Sequence, residues 1–247
     1  MSSTPHRILG AAASSLAGQR AQQTAQAAGT DEEGATQADA PREVAVSPLE
    51  PAPGIELVVG LGNPGERYAA TRHNLGYLVV DELASRLRAA PWSHRPLCDV
   101  TSAPLGPRLL LARPLTFMNR SGAAAAWLLD HLGLDAPRLL VVLDDVDLDL
   151  GTLRLRRSGG PGTHNGLRDI CERIGTGFPR LRLGVRGSGP WQNLADYVLS
   201  PFADDEQPLA RQLVARAADA VETTVREGID AAMGRFNGPA PVASDDR

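Results

Sequence analysis

The chain has 247 residues, of which 43% are hydrophobic and 22% charged, with a formal net charge of −4. These values are ordinary for a globular protein in water, and the net acidity excludes a chain that binds nucleic acid over its whole surface. No stretch approaches the ~20 consecutive apolar residues that cross a bilayer, and the two cysteines, Cys98 and Cys171, build neither a disulfide framework nor a zinc site, which fits a reduced, cytoplasmic setting.

Residues 1–53 are rich in Ala, Gln, Ser, Thr and Gly and lack a sustained apolar period. Such a segment cannot bury enough apolar surface to offset its ordering entropy, so it reads as a disordered extension. Its early residues include Arg7 and Arg20 but no acid, a faint targeting character. From Ile55 onward, strands and helices alternate. Apolar, β-rich runs are expected at Ile55–Gly60, Arg108–Ala112, Leu139–Asp144, Thr152–Leu155 and Arg180–Val185. Between them, Leu75, Leu78, Val79, Leu83 and Leu87 share one helical face, and Leu209, Leu213, Ala217, Val221 and Val225 share another. "SGAAAAWLLDHLG" and "NGLRDICERIG" read as shorter helices closed by a glycine. Residues 239–247 read as a loose tail. The expected fold is a single three-layer α/β domain over 54–238, a mostly parallel mixed central sheet flanked by helices.

The first strand runs into Gly60-x-Gly62-x-x-Gly65, the literal dinucleotide fingerprint. The fingerprint also requires the loop to open directly into a helix whose N–H groups hold pyrophosphate. Pro64 removes one donor, and no apolar stripe begins until Leu75. The acid expected about 20 residues on should end a second strand, whereas Glu82 sits in a helical pattern. A nucleotide cofactor is therefore not expected, and no G-K-[ST] makes a P-loop. Asp145, Asp147 and Asp149 imitate a calcium loop, but Arg156 stands where its closing Glu belongs.

All 25 basic residues are Arg. Between Gly151 and Pro190 lie Arg154, Arg156, Arg157, Arg168, Arg173, Arg180, Arg182 and Arg186 against Asp169 and Glu172, a local charge of +6. A charge run is usually a solvated face. This one surrounds a glycine-rich loop, and the planar fork of Arg pairs two phosphate oxygens, so a phosphate-binding face is expected.

In α/β domains, ligands bind beyond the C-terminal ends of the strands. Asn63 follows the first strand, and His73 lies ten residues later. Asn119 falls between a strand and a helix, Asp144 and Asp145 end another strand, and His164 and Asn165 open a helix. Each has a plain structural reading: Asn165 and Asn74 suit helix N-caps, and Asn63 and Asn119 suit turns. His164, beside Arg-rich sequence, reads as an RNA contact or a loop cap more than as a catalyst.

Together these segments resemble the bacterial-type peptidyl-tRNA hydrolases. The resemblance rests on "VVGLGNPGERYAATRHNLGY", "RPLTFMNRSG", "DDVDLDLGTLRLRRSGGPGTHNGLRDI", "FPRLRLGV" and "DYVLSPF", from about Ile55 to Asn237. It implies a monomer that cleaves the ester between a peptide and the tRNA 3′ ribose, recycling tRNA from stalled or dropped-off peptidyl-tRNA. It implies contacts with the acceptor stem and 3′ end, no metal, no cofactor and no membrane. By motif, His73 matches the general base and Asp144 its carboxylate partner. Asn63, Asn119 and Asn165 match the amides that bind substrate and position water. Tyr68 and Phe117 match tRNA-contacting aromatics, and Arg156 and Arg182 match phosphate-binding positions. Leu143 stands where the family often has His, and "SGGPGTHNG" and "GVRGSGPW" depart from the usual pattern.

These residue types suit the reaction. The ester is already activated, so water needs only a base, an oxyanion needs donors, and the ribose oxygen must leave. Imidazole can take the proton, and a carboxylate fixes its tautomer. A positioned base contributes roughly 10²–10⁴-fold and an oxyanion donor about 10²–10³-fold. Asn63 is expected to bond the first peptide group and so spare free aminoacyl-tRNA. Ser121 lacks a GxSxG elbow, which leaves direct attack by water. Two other functions fit parts of the sequence: a non-catalytic RNA-binding paralogue of the same fold, and an oxidoreductase resting on the glycine fingerprint alone.

Overall fold

The computed structural model describes residues 54–107, 109–187 and 192–240. The extension expected over 1–53 and the end of the expected tail, 241–247, lie outside them, as does part of "GVRGSGPW".

The strands are β1 (Leu57–Gly60), β2 (Ser93–His94), β3 (Cys98–Ala103), β4 (Leu109–Pro114), β5 (Leu139–Asp149), β6 (Thr152–Arg156), β7 (Arg180–Arg186) and β8 (Gly238–Pro239). The helices are α1 (Leu75–Arg86), α2 (Ser121–Leu132), α3 (Asn165–Ile174), α4 (Leu194–Val198), α5 (Gln207–Glu227) and α6 (Ile229–Phe236). One sheet holds the strands in the order β2-β3-β4-β1-β5-β7-β6-β8. The central four, β4, β1, β5 and β7, are parallel, and the outer pairings are antiparallel. This is the mostly parallel mixed sheet the sequence predicts. β1, most of β4 and the first half of β5 read as unbroken apolar runs because they are covered on both faces.

Val58, Leu111, Leu140 and Val142 face α1 and α5, whereas Leu57, Val59, Leu139 and Val141 face α2 and α3. Helix α1 after β1 and helix α3 before β7 therefore cover opposite faces. The chain departs in opposite senses on either side of the β1–β5 pair, which makes their C-terminal ends the crevice of the sheet.

Several details differ from expectation, among them the unforeseen β2, α4 and α6. Strand β5 continues through Asp149 instead of ending at Asp144, because β7 goes on pairing with it, with an irregularity between Asp145 and Asp149. Strand β3 was missed: its exposed and half-buried positions break up any apolar run. On α1, Leu78 points outward at 38% exposure while Val80 is buried. Pro239, placed in the loose tail, pairs with Thr152 in β8.

The glycines after β1 serve packing. A Cβ on Gly60 would lie 2.1 Å from the Gly76 carbonyl oxygen, and one on Gly62 would strike the Tyr77 ring at 2.6 Å. They let α1 press against the strand. Two 3-10 turns, Glu66–Tyr68 and Arg72–Asn74, separate Gly65 from α1. The helix onset that a dinucleotide loop needs is absent there.

Candidate active site

A cavity of ≈ 540 Å³ opens beyond the end of β1 and beside Asp144–Val146 of β5. Asn63, His73, Asn119, Asp144, His164 and Asn165 line its polar side. Val146, Leu194, Val198 and Leu199 form an apolar wall.

His73 is set by the turn before α1, which is pinned on both sides. Arg72 donates to Ser200 Oγ at 2.8 Å, to the Ser200 and Pro201 carbonyls, and to Glu206. Its guanidinium lies over the rings of Tyr197 and Phe202. Asn74, expected as an N-cap, makes no side-chain cap bond. Instead its amide donates to the Asn63 carbonyl at 3.0 Å and accepts from the Asn63 N–H at 2.9 Å. The loop after β1 and the His73 turn are thus one hydrogen-bonded unit.

The imidazole of His73 reaches Asp144 across 71 positions of sequence: Nδ1 is 2.8 Å from Oδ1 and 3.0 Å from Oδ2. Asp144 also meets His164, whose Nε2 is 3.1 Å from the same Oδ1. The tautomers follow. His164 Nδ1 accepts the Leu167 N–H at 3.1 Å, so a neutral His164 carries its proton on Nε2 and donates it to Asp144. The Asp144 carboxylate can only accept, so His73 carries its proton on Nδ1 and leaves Nε2 with a lone pair. Burial alone would raise the Asp144 carboxyl, but the two imidazoles outweigh it and hold it well below the usual carboxylate range.

His164, not Asn165, caps α3, and it supplies the second donor to Asp144 as well. Sequence reasoning had ranked it below His73; its place directly before Asn165 at a helix start was the signal available. Met118 was also missed. Its N–H donates to Asn63 Oδ1 at 2.8 Å, which fixes the amide and leaves Nδ2, without a hydrogen-bond partner among the described residues, at the cavity wall. A Cβ on Gly166 would lie 2.5 Å from Met118 Sδ, so only glycine lets α3 approach this residue. Asn165 Oδ1 accepts from Arg168 at 3.1 Å. Asn119 is exposed at the cavity edge.

Phe117, 53% exposed, stands at the mouth. Tyr68 packs edge-on against it, with ring centroids 6.5 Å apart. Arg156 lies exposed on β6. Arg182 is placed differently: its Nε is 2.9 Å from Asp145 Oδ2. The two atoms are poorly aligned for a hydrogen bond, so the pair is an electrostatic contact. Burial raises the Asp145 carboxyl, opposed by the Asp147 N–H and by Arg182. Leu143, at the position where the family often has His, is fully buried.

Among the described residues, His73, Asp144 and His164 form a cluster whose donor atoms, within 4.8 Å of one another, could hold a metal ion. Their protons already join them, so a metal would have to displace both imidazole hydrogens. No helix of the described residues is long and apolar enough to cross a membrane.

The sequence model described as peptidyl-tRNA hydrolase matches residues 57–244. A peptidyl-tRNA hydrolase of Roseiflexus sp. (strain RS-1) is 48% identical over 188 residues, covering 75% of this chain and 87% of that protein. One from Leifsonia xyli subsp. xyli is 49% identical over 185 residues, covering 73% and 96%. The crystal structure of peptidyl-tRNA hydrolase from Acinetobacter baumannii superposes with a TM-score of 0.71 at 34% identity, covering 76% of this chain and 97% of that one. With fold, cleft and sequence in agreement, the chain belongs to the peptidyl-tRNA hydrolase family.

Proposed function

We propose that the chain hydrolyses the ester between a peptide and the 3′ ribose of tRNA, with His73 as the general base. His73 Nε2 takes a proton from water, which attacks the ester carbonyl. Asp144 holds the tautomer and stabilises the imidazolium as it forms. His164 shares that carboxylate and keeps it aimed. Asn63 Nδ2 is a donor for the first peptide group or for the developing oxyanion, and Asn119 and Asn165 bind substrate and position water. The imidazolium then returns its proton to the departing ribose oxygen. The apolar wall of Val146, Leu194, Val198 and Leu199 takes the side chain next to the ester.

The tRNA 3′ end stacks on Tyr68 and Phe117 at the mouth, and Arg156 and Arg182 meet phosphates near the acceptor end. The enzyme acts as a monomer in the cytoplasm, without a metal or cofactor. The observation that carries this reading is the His73–Asp144 bond of 2.8 Å inside the cavity. The test is release of a labelled N-acetyl-aminoacyl group from tRNA by wild type and by His73→Ala. Release by the first and not the second supports the proposal. Binding of tRNA without release by wild type would point to the RNA-binding alternative.

A further inference from the structure

We infer that Arg180 is a positioning residue for this reaction: buried under the glycine loop, it ties Gly159 and Gly160 to the turn at Thr176–Phe178 and so holds the segment that delivers His164 to Asp144. The inference rests on the role given to His164 above.

Arg180 is 1% exposed. Its neighbour Arg182 faces a carboxylate, but Arg180 makes no ion pair among the described residues. Its fork is spent on backbone carbonyls. Nη1 donates to Gly159 and, at 3.5 Å, to Gly160. Nη2 donates to Thr176 at 3.1 Å and Phe178 at 3.0 Å, and Nε reaches Phe178 at 3.2 Å. The guanidinium lies 4.3 Å from the Phe178 ring centroid, with the Cys171 thiol nearby.

A cation taken out of water without a counter-charge is costly, and dipoles must replace its hydration. Packing alone does not call for such a residue on this strand; a side chain without charge would fill the space. The loop has a need that Arg meets. Gly159 and Gly162 have φ of +141° and +60°, so the chain leaves β6 by a path with no ladder of its own. Its backbone tie across to the turn is the Gly159 N–H to the Thr176 carbonyl, at 3.4 Å. Arg180 closes the same gap with a planar fork, and the next ordered step along the chain is the His164 cap of α3.

The test compares wild type with R180M and R180K in the full chain. It measures kcat and KM on N-acetyl-aminoacyl-tRNA, melting temperature, and amide exchange of peptides covering 157–164. At a temperature where R180M is folded, kcat falls about 10–100-fold, and the loop exchanges faster while β1 and α1 do not. R180K, with the charge but not the fork, lies between. If R180M does not fold, R180K decides by the same readouts. Wild-type kcat and KM in a folded variant would overturn the inference, and so would a loss of kcat with unchanged loop exchange. Failure of the hydrolase reading would show separately, as absence of release by wild type.

Discussion

Asp144→Asn is the sharpest test of the site because it changes charge and almost no volume. Asp144 is 2% exposed on its side chain and His73 11%, so solvent screens the pair little. Unit charges ~3–4 Å apart at an effective dielectric of about 20 interact by roughly 4–6 kcal/mol. The imidazolium that forms as water attacks loses that stabilisation in the variant. At ~1.36 kcal/mol per tenfold, kcat should fall about 10³–10⁴-fold. The amide can also donate to Nδ1 and drive the proton onto Nε2, which removes the base directly. RNA cannot reach this side chain, so tRNA affinity should hold within about twofold. His164→Ala should cost less, about 10–100-fold, because one charge-assisted hydrogen bond is worth ~1.5–3 kcal/mol and the His73 pair survives. Single-turnover release from N-acetyl-aminoacyl-tRNA with enzyme in excess isolates the chemical step. A loss below tenfold in Asp144→Asn, with binding intact, would refute the assignment of Asp144 as the partner of a general base.

Acid stability gives an independent view of the same carboxylate. Its folded value lies below the ~3.9 of an unfolded Asp, so it adds stability above that pH, and the gain is lost as pH falls through the folded value. The melting temperature of Asp144→Asn should therefore decline less than that of wild type below about pH 4, and parallel curves would count against the two imidazole contacts. Asn63→Asp keeps an oxygen for the Met118 N–H and removes the Nδ2 donor, whereas Asn63→Ala also orphans that N–H at ~1–3 kcal/mol. The Asp variant should narrow the preference for N-acetylated over free aminoacyl-tRNA by about tenfold, since a carboxylate also welcomes the cationic α-amine; unchanged preference would exclude Asn63 from that role. Cys98 is fully buried, and burial with the nearby Asp99 pushes its thiol up to about 11. Native alkylation near pH 8 should therefore label Cys171 first, and peptide mapping that finds Cys98 labelled equally fast would contradict the packing of β3.

What the sequence disclosed depended on how local the cause was. β1, β4 and β5 are buried on both faces, so their apolar runs were plain. β3 mixes buried, half-buried and exposed positions without a regular period, and was missed. The glycines after β1 looked like a phosphate loop because a close approach to a helix and a close approach to pyrophosphate demand the same absent Cβ. The polar groups that line the cavity were legible from their places near expected strand ends, but the bonds among them were not. Whether His164 caps a helix or reaches Asp144 depends on where β5 lies beside α3, and it does both. Met118 gave no sign at all, since it acts through its backbone N–H.

The arginine run shows why a local charge count misleads. Strands β6 and β7 pair as Leu153 with Leu183, Arg154 with Arg182, Leu155 with Leu181, and Arg156 with Arg180. The leucines share the core and the arginines share the other face, where like charges directly opposite repel. The fold supplies carboxylates to the run, most of them from far away in sequence and one, Asp169, from within it. Arg182 meets Asp145, Arg157 meets Asp230, Arg173 meets Asp169 and Arg186 meets Asp149, while Arg180 is buried on carbonyls. That leaves Arg154, Arg156 and Arg168 exposed and without an ion pair among the described residues. Each phosphate neutralised contributes ~0.9 to the salt slope of binding. Replacing these three with Ala should flatten the slope for tRNA by about 2–3. Replacing Arg157, Arg173 and Arg186 should flatten it by less than about 1, because their charge is already met. Arg182→Ala alone should fall short of the full step that Arg156→Ala gives. Equal flattening by the two triple variants would show that RNA strips the ion pairs, and that the count of +6 read along the chain was the effective charge after all.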